Sequence, residues 1–431
     1  MKIQIIIISF LTLLVTNLAA QEKPKRWDLT NCINYALQNN IQIQKSKIIL
    51  ETNSVSTKQA KAQIFPNLSA TVGQNFTNNP FIPSTTYSGN YSINSSMTLF
   101  DGGKIQKNIQ QQKLAEQASQ FDLQNSQKNI QMSILQTYLQ ILYADESVKI
   151  NQATVRVSEY QQTRGEELLK AGSISKADFA QLQSQYSTDK YQQVVAENTL
   201  STDKLQLKQL LELAATDELN VVILELSDVD ILKPLPSLQS IYANALNAMP
   251  TIKSSKLGIQ VAGLETEKAK TGYLPTISLS AGIGTSHGSS NIGDQLKDGL
   301  YQGIGLSVSI PIFNNRETKS TVEKAILSEK TSKLNLQDTE KTLLKDIESA
   351  YQDAISAQSQ YAAAGEKVKA LQTSYDLIDQ QYKLGMKNTL ELLTEKNNLL
   401  TAQQNMIQAK YLSIMNTQLL NIYQDLPIEI K

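Results

Sequence analysis

The feature that most constrains this chain is a pair of alternating β-hairpins set within an otherwise helical sequence. One hairpin lies at 67–100 and the other at 276–313, and each has two arms joined by a polar loop. Apolar residues alternate with small polar residues along all four arms, which places the two types on opposite faces of a strand. The arms are about ten residues long, the length of a tilted strand that crosses a bilayer. The sequence therefore predicts a mainly α-helical protein with four membrane-length strands.

Small polar side chains occupy the second face of each arm, for example Ser69 and Thr71 in the first hairpin and Ser278 and Ser307 in the second. Four strands are too few to close a membrane barrel, since the smallest closed barrels use about eight. Open strand edges are not tolerated in lipid. We therefore expect several chains to combine around a water-filled pore lined by the polar face. A soluble β-layer with one solvated face is the alternative interpretation.

The hairpins belong to a repeat that spans most of the chain. The matched pairs are Pro66 and Pro275, Phe100 and Phe313, Tyr138 and Tyr351, and Gly172 and Gly385. The offset is 209 residues for the prolines and 213 for the other pairs, and it changes within the hairpins, where loops absorb insertions at little cost. The sequence predicts two copies of one unit, 21–235 and 236–431, after a leader at 1–20.

A helix is predicted before each hairpin. The first covers 29–62, where Thr30 or Asn31 is the expected cap, and the second covers 238–270. Between the two copies, the short apolar run at 219–226 predicts a small patch of strand beside the helices.

Much longer helices follow each hairpin. The stretch 104–170 contains no proline, and its apolar residues recur every three or four positions in a narrow stripe that is typical of coiled-coil helices. Gly172 ends this helix and Gly385 ends its counterpart, since glycine after the last turn is the expected stop. Return helices are predicted from 175 to about 213 and from 388 to about 424. The result is two tall antiparallel helical hairpins with tips at 172 and 385.

The first 20 residues have the composition of a secretory signal peptide. Lys2 precedes an apolar run, and the small residues Ala19 and Ala20 suit cleavage before Gln21. No later apolar run reaches the length that a membrane helix needs, so we expect any membrane-spanning part to consist of strands.

Composition argues against several functional classes. Lys plus Arg and Asp plus Glu both number 40, so the formal net charge is zero and nothing favours a nucleic-acid partner. The chain has one cysteine, Cys32, and one histidine, His287, which we place in a hairpin loop. No nucleophile elbow, phosphate-binding loop or metal-ligand spacing occurs in the sequence. We therefore expect no enzymatic activity, no metal and no cofactor.

Taken together, these features resemble the TolC family of outer-membrane efflux proteins. The resemblance covers about 29–425 and rests on the two-copy layout, on the arm ends Leu99–Gly103 and Ile312–Asn314, and on the two glycine tips. It implies a homotrimer whose twelve-stranded β-barrel lies in the outer membrane and continues as an α-helical tunnel, or α-barrel, through the periplasm. Such trimers serve as exit ducts in tripartite efflux or type I secretion. They dock to a periplasmic adaptor protein that works with an inner-membrane pump.

The resemblance also implies a gate at the periplasmic end. Asp178 matches an acidic residue that links the two helical hairpins, and Tyr382 and Lys387 match the tyrosine and arginine that bond to it. Glu391 matches the aspartate of a constricting acidic ring. Thr394 stands where the best-known member has a second aspartate, so a double ring is not carried over. Lysine in place of arginine also loses the bidentate fork.

The adaptor is expected to contact the tips, at Gly172 and Ser173 in the first copy and at Gly385 and Met386 in the second. Three Glu391 side chains around one axis would favour cations. The alternative interpretation is that the acidic residues merely stabilise helix starts. For the whole chain, the alternative function is that of a periplasmic coiled-coil adaptor or scaffold. The membrane-length hairpins favour the channel, because an adaptor does not need them.

Overall fold

The structure is a computed structural model, and it describes residues 26–79, 81, 84–214, 216–223, 231–287 and 299–428. The predicted leader at 1–20 lies outside the described residues. The first copy consists of α1 (Leu29–Asn39), α2 (Ile41–Ala62), β1 (Asn67–Asn79), β2 (Ser84–Phe100), α3 (Lys104–Lys170) and α4 (Lys176–Leu210). The second consists of α5 (Leu238–Ala248), α6 (Pro250–Lys270), a 3₁₀ turn (Thr271–Tyr273), β3 (Thr276–His287), β4 (Leu300–Ser309), α7 (Glu317–Lys383) and α8 (Thr389–Tyr423).

The predicted two-copy architecture is confirmed by the order and the lengths of these elements. Both long helices, α3 and α7, have 67 residues, and both return helices, α4 and α8, have 35 residues. At 1.5 Å per residue each long helix extends for about 100 Å. In each copy the long helix packs against its return helix as an antiparallel pair.

The four strands form one antiparallel sheet in the order β1-β2-β3-β4. In its register, the small polar residues of neighbouring strands lie opposite each other: Ser69 is opposite Asn94, and Ser278 is opposite Ser307. The apolar positions join on the other face, where Leu279 is opposite Leu306. Because opposed residues in a sheet share a face, the alternation in the sequence continues across all four strands.

Two details of the hairpins differ from the prediction. The last arm was expected to continue to 313, but β4 ends at Ser309. Pro311 follows directly, and proline cannot donate a hydrogen bond to a strand ladder. His287, predicted to lie in a loop, is instead the last residue of β3.

Each helix before a hairpin was predicted to be continuous, and each is broken. Asn40 interrupts the first in an extended conformation, and its side chain accepts a hydrogen bond from the backbone N–H of Gln42 to start α2. The cap of α1 is Asp28 rather than Thr30 or Asn31. The second break lies at Met249, because Pro250 at the first position of α6 lacks the N–H that would continue α5.

The main hydrophobic core lies near the middle of α3. Ile134, Tyr138 and Leu142 are fully buried there, together with Trp27 from the chain that precedes α1. Trp27 forms a parallel backbone bridge to Val221, which is the strand pairing found in the described part of the predicted 219–226 patch. A second core forms where α5 and α6 pack on α7 and the end of α8.

Candidate functional site: a pore-lining sheet and a helical tip

The apolar face of the sheet is open to solvent in the single chain. Leu68 and Ile304 are 77% and 82% exposed, and Val72, Leu306 and Val308 are also exposed. A contiguous exposed apolar surface of this kind marks a protein or membrane interface. Within the bounds of the four strands the sequence has no Asp, Glu, Lys or Arg. The polar face is therefore uncharged and presents hydroxyl groups, amides and glycine backbone.

At the opposite end of the molecule, a glycine with positive φ ends each long helix. Gly172 and Gly385 have φ of 72° and 74°, a left-handed conformation that side chains with a Cβ adopt at a cost. The residue after each glycine donates its backbone N–H back into the last turn, from Ser173 to Leu168 and from Met386 to Gln381. These paired bonds are the Schellman arrangement that stops a helix. Both predicted tips are therefore sharp turns between antiparallel helices.

The return helices begin with reciprocal hydrogen bonds that fix the two candidate acidic residues. The Ser175 backbone N–H donates to Asp178 Oδ2 at 3.2 Å, and the Ser175 hydroxyl accepts from the Asp178 backbone N–H at 3.1 Å. Asn388 and Glu391 form the equivalent pair of bonds in the second copy. Such capping boxes satisfy backbone donors at a helix start. Asp178 and Glu391 therefore form the hydrogen bonds expected of acids that stabilise helix starts, which is the alternative interpretation of both residues.

Asp178 also lies near the second helical hairpin. The Ser175 side chain and backbone N–H hold the pKa of Asp178 below its usual range, and the nearby Thr389 side chain also lowers it. Thr389 is buried at the start of α8. The acidic residue of the first tip thus lies near a threonine of the second tip that the sequence analysis did not select.

The other expected links to Asp178 are absent among the described residues. Lys387 pairs with Glu391, with 2.6 Å between Nζ and Oε1, and this bond lowers the pKa of Glu391. The Tyr382 hydroxyl is buried and has no hydrogen-bond partner in the described part of the chain. Within one chain, therefore, neither Lys387 nor Tyr382 bonds to Asp178. The reason is local: Lys387 lies just before the N-cap Asn388, where its amine reaches the Glu391 carboxylate in the first turn of α8.

The two tips differ in the surface that they expose. Leu384, Met386 and Leu390 are exposed around the second tip. Around the first tip, Gly172 and Ser173 are exposed instead. The second tip is therefore the more apolar of the two.

One polar contact between the helical hairpins was not selected from the sequence. Asp189 on α4 and Lys396 on α8 form an ion pair, and the two side chains are 3% and 5% exposed. The sequence does contain a sign of this ion pair, because Asp189 and Lys396 each occupy a position on an otherwise apolar helix stripe. Leu182 and Asp189 are seven residues apart, and Lys396 lies between Leu392 and Leu399. A charge at a core position of a helix usually has a buried partner.

No group of three or more His, Cys, Asp or Glu side chains is arranged to hold a metal ion in the described ranges. Among the helices of the described part of the chain, none combines the length and apolar character needed to cross a membrane.

Comparison with known proteins identifies the family. Residues 32–212 and 241–422, one segment in each copy, match the model of the family described as outer membrane efflux protein. The chain belongs to the outer membrane efflux protein family. It is accordingly an efflux channel of the outer membrane that extends into the periplasm.

Individual members of the family align over most of their length. TolC of Escherichia coli strain K12 is 23% identical over 407 residues, which cover 90% of this chain and 80% of that protein. The efflux protein BepC of Brucella suis biovar 1 is 22% identical over 385 residues, with 89% and 82% covered. The crystal structure of the CmeC outer membrane channel of Campylobacter jejuni superposes with a TM-score of 0.80 at 19% identity, covering 94% of this chain and 87% of that one. The resemblance predicted from the repeat, arms and tips is therefore confirmed.

Proposed function

We propose that this efflux channel works as a homotrimer, a passive exit duct without enzymatic activity of its own. Three copies of the sheet close into one barrel of twelve strands, in which β4 of each chain pairs with β1 of the next. The observation that carries this proposal is the open sheet: β1 and β4 each have one unpaired edge in the single chain. An open edge is not tolerated in lipid, and four strands cannot close alone.

In this trimer the exposed apolar face of the sheet contacts the lipid of the outer membrane, and the uncharged polar face lines the pore. A lining of hydroxyl and amide groups carries no fixed charge to select between ions. Charge selection therefore resides at the helical end, where we propose that Asp178, Tyr382, Lys387 and Glu391 form the periplasmic gate. Three copies of Glu391 near the axis give the entrance its preference for cations.

The tips are the docking site for a periplasmic adaptor protein that couples the duct to an inner-membrane pump, the source of energy for transport. Gly172 and Ser173 present backbone at the first tip, and Gly385 and Met386 lie in the apolar second tip. Weak polar contacts suit a closure that a docking partner opens, since a hydrogen bond at a wet site contributes only about 0.5–1.5 kcal/mol.

Single-channel conductance in a planar bilayer tests the duct and its gate. Purified wild-type protein is expected to give discrete, cation-preferring conductance, and Glu391→Ala is expected to lose the preference while it continues to conduct. Glu166→Ala is the matched control, because Glu166 is an exposed acid near the first tip whose ion pair, among the described residues, is with Lys170 of its own helix. Absence of conductance, with a chain that remains soluble without detergent, would replace the duct with the adaptor. A cation preference that survives in Glu391→Ala would keep the duct and remove Glu391 from the gate.

A further inference from the structure

The buried ion pair of Asp189 and Lys396 connects the two helical hairpins close to the tips. Asp189 lies about three turns beyond Asp178 on α4, and Lys396 lies between one and two turns beyond Glu391 on α8. In the described part of the chain, no other ion pair has both side chains less than 10% exposed. The two helices come from different copies of the repeat, so this contact is a tertiary one.

Neighbouring amides extend the pair into a small polar network. Gln185 donates from Nε2 to Oδ1 of Asp189 at 2.9 Å. Gln185 and Asn397 face each other through reciprocal amide contacts of 3.3 Å. The network is flanked by the buried side chains Leu182 and Leu392. Both carboxylate oxygens of Asp189 thus have partners, as a buried charge requires.

A network of this kind determines the relative position of two helices more than it stabilises them. Removing two charges from water offsets much of their attraction, so a buried pair contributes little net stability, and in some proteins such a pair selects one arrangement of the helices. An apolar seam of leucine and alanine permits small slides, whereas a hydrogen-bonded charge pair does not. A one-residue slip of α8 would move Lys396 by about 1.5 Å along the axis and rotate it by about 100° away from Asp189.

We propose that Asp189 and Lys396 are positioning residues that hold the two helical hairpins in the register of the closed gate. They act through Asp178 and Glu391, which lie on the same two helices nearer the tips. This inference depends on the proposed gate. While the pair is intact, it joins α4 to α8 and so keeps Asp178 and Glu391 in one relative position. When the pair is lost, the helices sample other registers and the closed entrance is destabilised.

Three variants separate positioning from simple stabilisation. Asp189→Asn keeps the shape and removes the charge. The double variant Asp189→Leu with Lys396→Met replaces the pair by apolar side chains of similar size, which often leaves stability unchanged or higher. The exchange Asp189→Lys with Lys396→Asp restores an ion pair in reverse. Glu166→Gln is the control, because it breaks an exposed pair within α3 that joins no hairpins.

The readouts are the open fraction in single-channel recordings and the temperature at which the purified oligomer dissociates. We expect the open fraction to rise about tenfold or more in Asp189→Asn and in the apolar double variant, since the closed state loses its specific contact. The double variant is expected to dissociate at the wild-type temperature. The exchanged pair and Glu166→Gln are expected to gate as wild type.

A wild-type open fraction in the stable apolar double variant would overturn the inference, because the pair would then serve packing alone. If Asp189→Asn does not fold, the double and exchanged variants still decide. Failure of the wild-type protein to conduct would overturn the duct and this inference together. Loss of cation preference in Glu391→Ala, with wild-type gating in every pair variant, would overturn the inference and leave the duct intact.

Discussion

Tyr138 and Tyr351 occupy the same position in the two copies of the repeat, yet their surroundings differ. Tyr138 is fully buried, and its hydroxyl donates to the backbone carbonyl of Val222 at 2.6 Å. Tyr351 is partly exposed at the edge of the second core. Gly172 and Gly385, the paired tip glycines, have the same left-handed conformation and an open space around the missing side chain.

The two copies share the backbone turn at the tip glycine, but they do not share the burial of the tyrosine. A glycine turn depends on backbone stereochemistry, which both copies share. Burial of a tyrosine depends on what covers it, and only α3 is covered by the segment of Trp27 and Val221. Positions that look equivalent in a repeat are therefore equivalent in conformation and need not be equivalent in energy.

The largest expected effect is the difference in stability lost when Tyr138 and Tyr351 are each replaced by alanine. Tyr138→Ala should destabilise the fold by about 3–5 kcal/mol, since it leaves a large cavity in the main core. Tyr351→Ala should cost on the order of 1–2 kcal/mol, because less apolar surface is removed from contact. Tyr138→Phe should cost about 1 kcal/mol through the lost bond to Val222. Thermal denaturation of the purified protein measures all three, and equal costs at the two alanine positions would contradict the comparison.

A smaller effect should be equal in the two copies. Gly172→Ala and Gly385→Ala should each destabilise the tip by about 1–2 kcal/mol, since the left-handed conformation disfavours a Cβ even in open space. Amide hydrogen exchange of residues 168–173 and 381–386 measures the local cost. Gly258→Ala is a control of opposite sign: Gly258 lies within α6 in open space, and alanine there should stabilise the helix by about 1 kcal/mol. A cost at only one tip would show that the two turns are not equivalent.

The smallest expected effect concerns pH and the two capping acids. The folded-state pKa of Asp178 and of Glu391 lies below the usual range, through Ser175 and Lys387 respectively. Each carboxylate therefore contributes stability that is complete above the unfolded pKa, near 4, and is lost as the pH falls through the folded pKa. Both groups are exposed, so the contribution is small. Asp178→Asn and Glu391→Gln should flatten the fall in denaturation temperature between neutral pH and about pH 3.

Asp203 gives the matching control of opposite sign. Burial raises the pKa of its carboxyl, so its ionisation opposes folding above that pKa. Asp203→Asn should therefore raise the denaturation temperature at neutral pH. A steeper acid response in either capping variant would contradict the assigned sign.

Part of the candidate site followed from the sequence and part did not. The tip glycines and the starts of the return helices at 175 and 388 were predicted where they occur, because helix ends depend on a few adjacent residues. The partners of Asp178 were not predicted, because local sequence patterns do not show how α4 faces α8. That packing places Thr389 near Asp178, while Lys387, just before α8, pairs with Glu391 in the first turn of that helix.

The sequence by itself determined the two copies, the alternating strands, the lengths of the long and return helices and the turns at the tips. Each of these depends on the stereochemistry of neighbouring residues or on a regular apolar period, which the chain displays along its length. Only the tertiary structure decided which tyrosine is buried, where the Asp189 and Lys396 charges meet, and that Asn40 breaks a helix while its side chain donates to the carbonyl of Leu210. The contact of Asn40 with Leu210 and that of Asp189 with Lys396 each join residues 170 or more positions apart in the sequence. The energy of such a contact depends on burial and distance in three dimensions, which local sequence patterns do not contain.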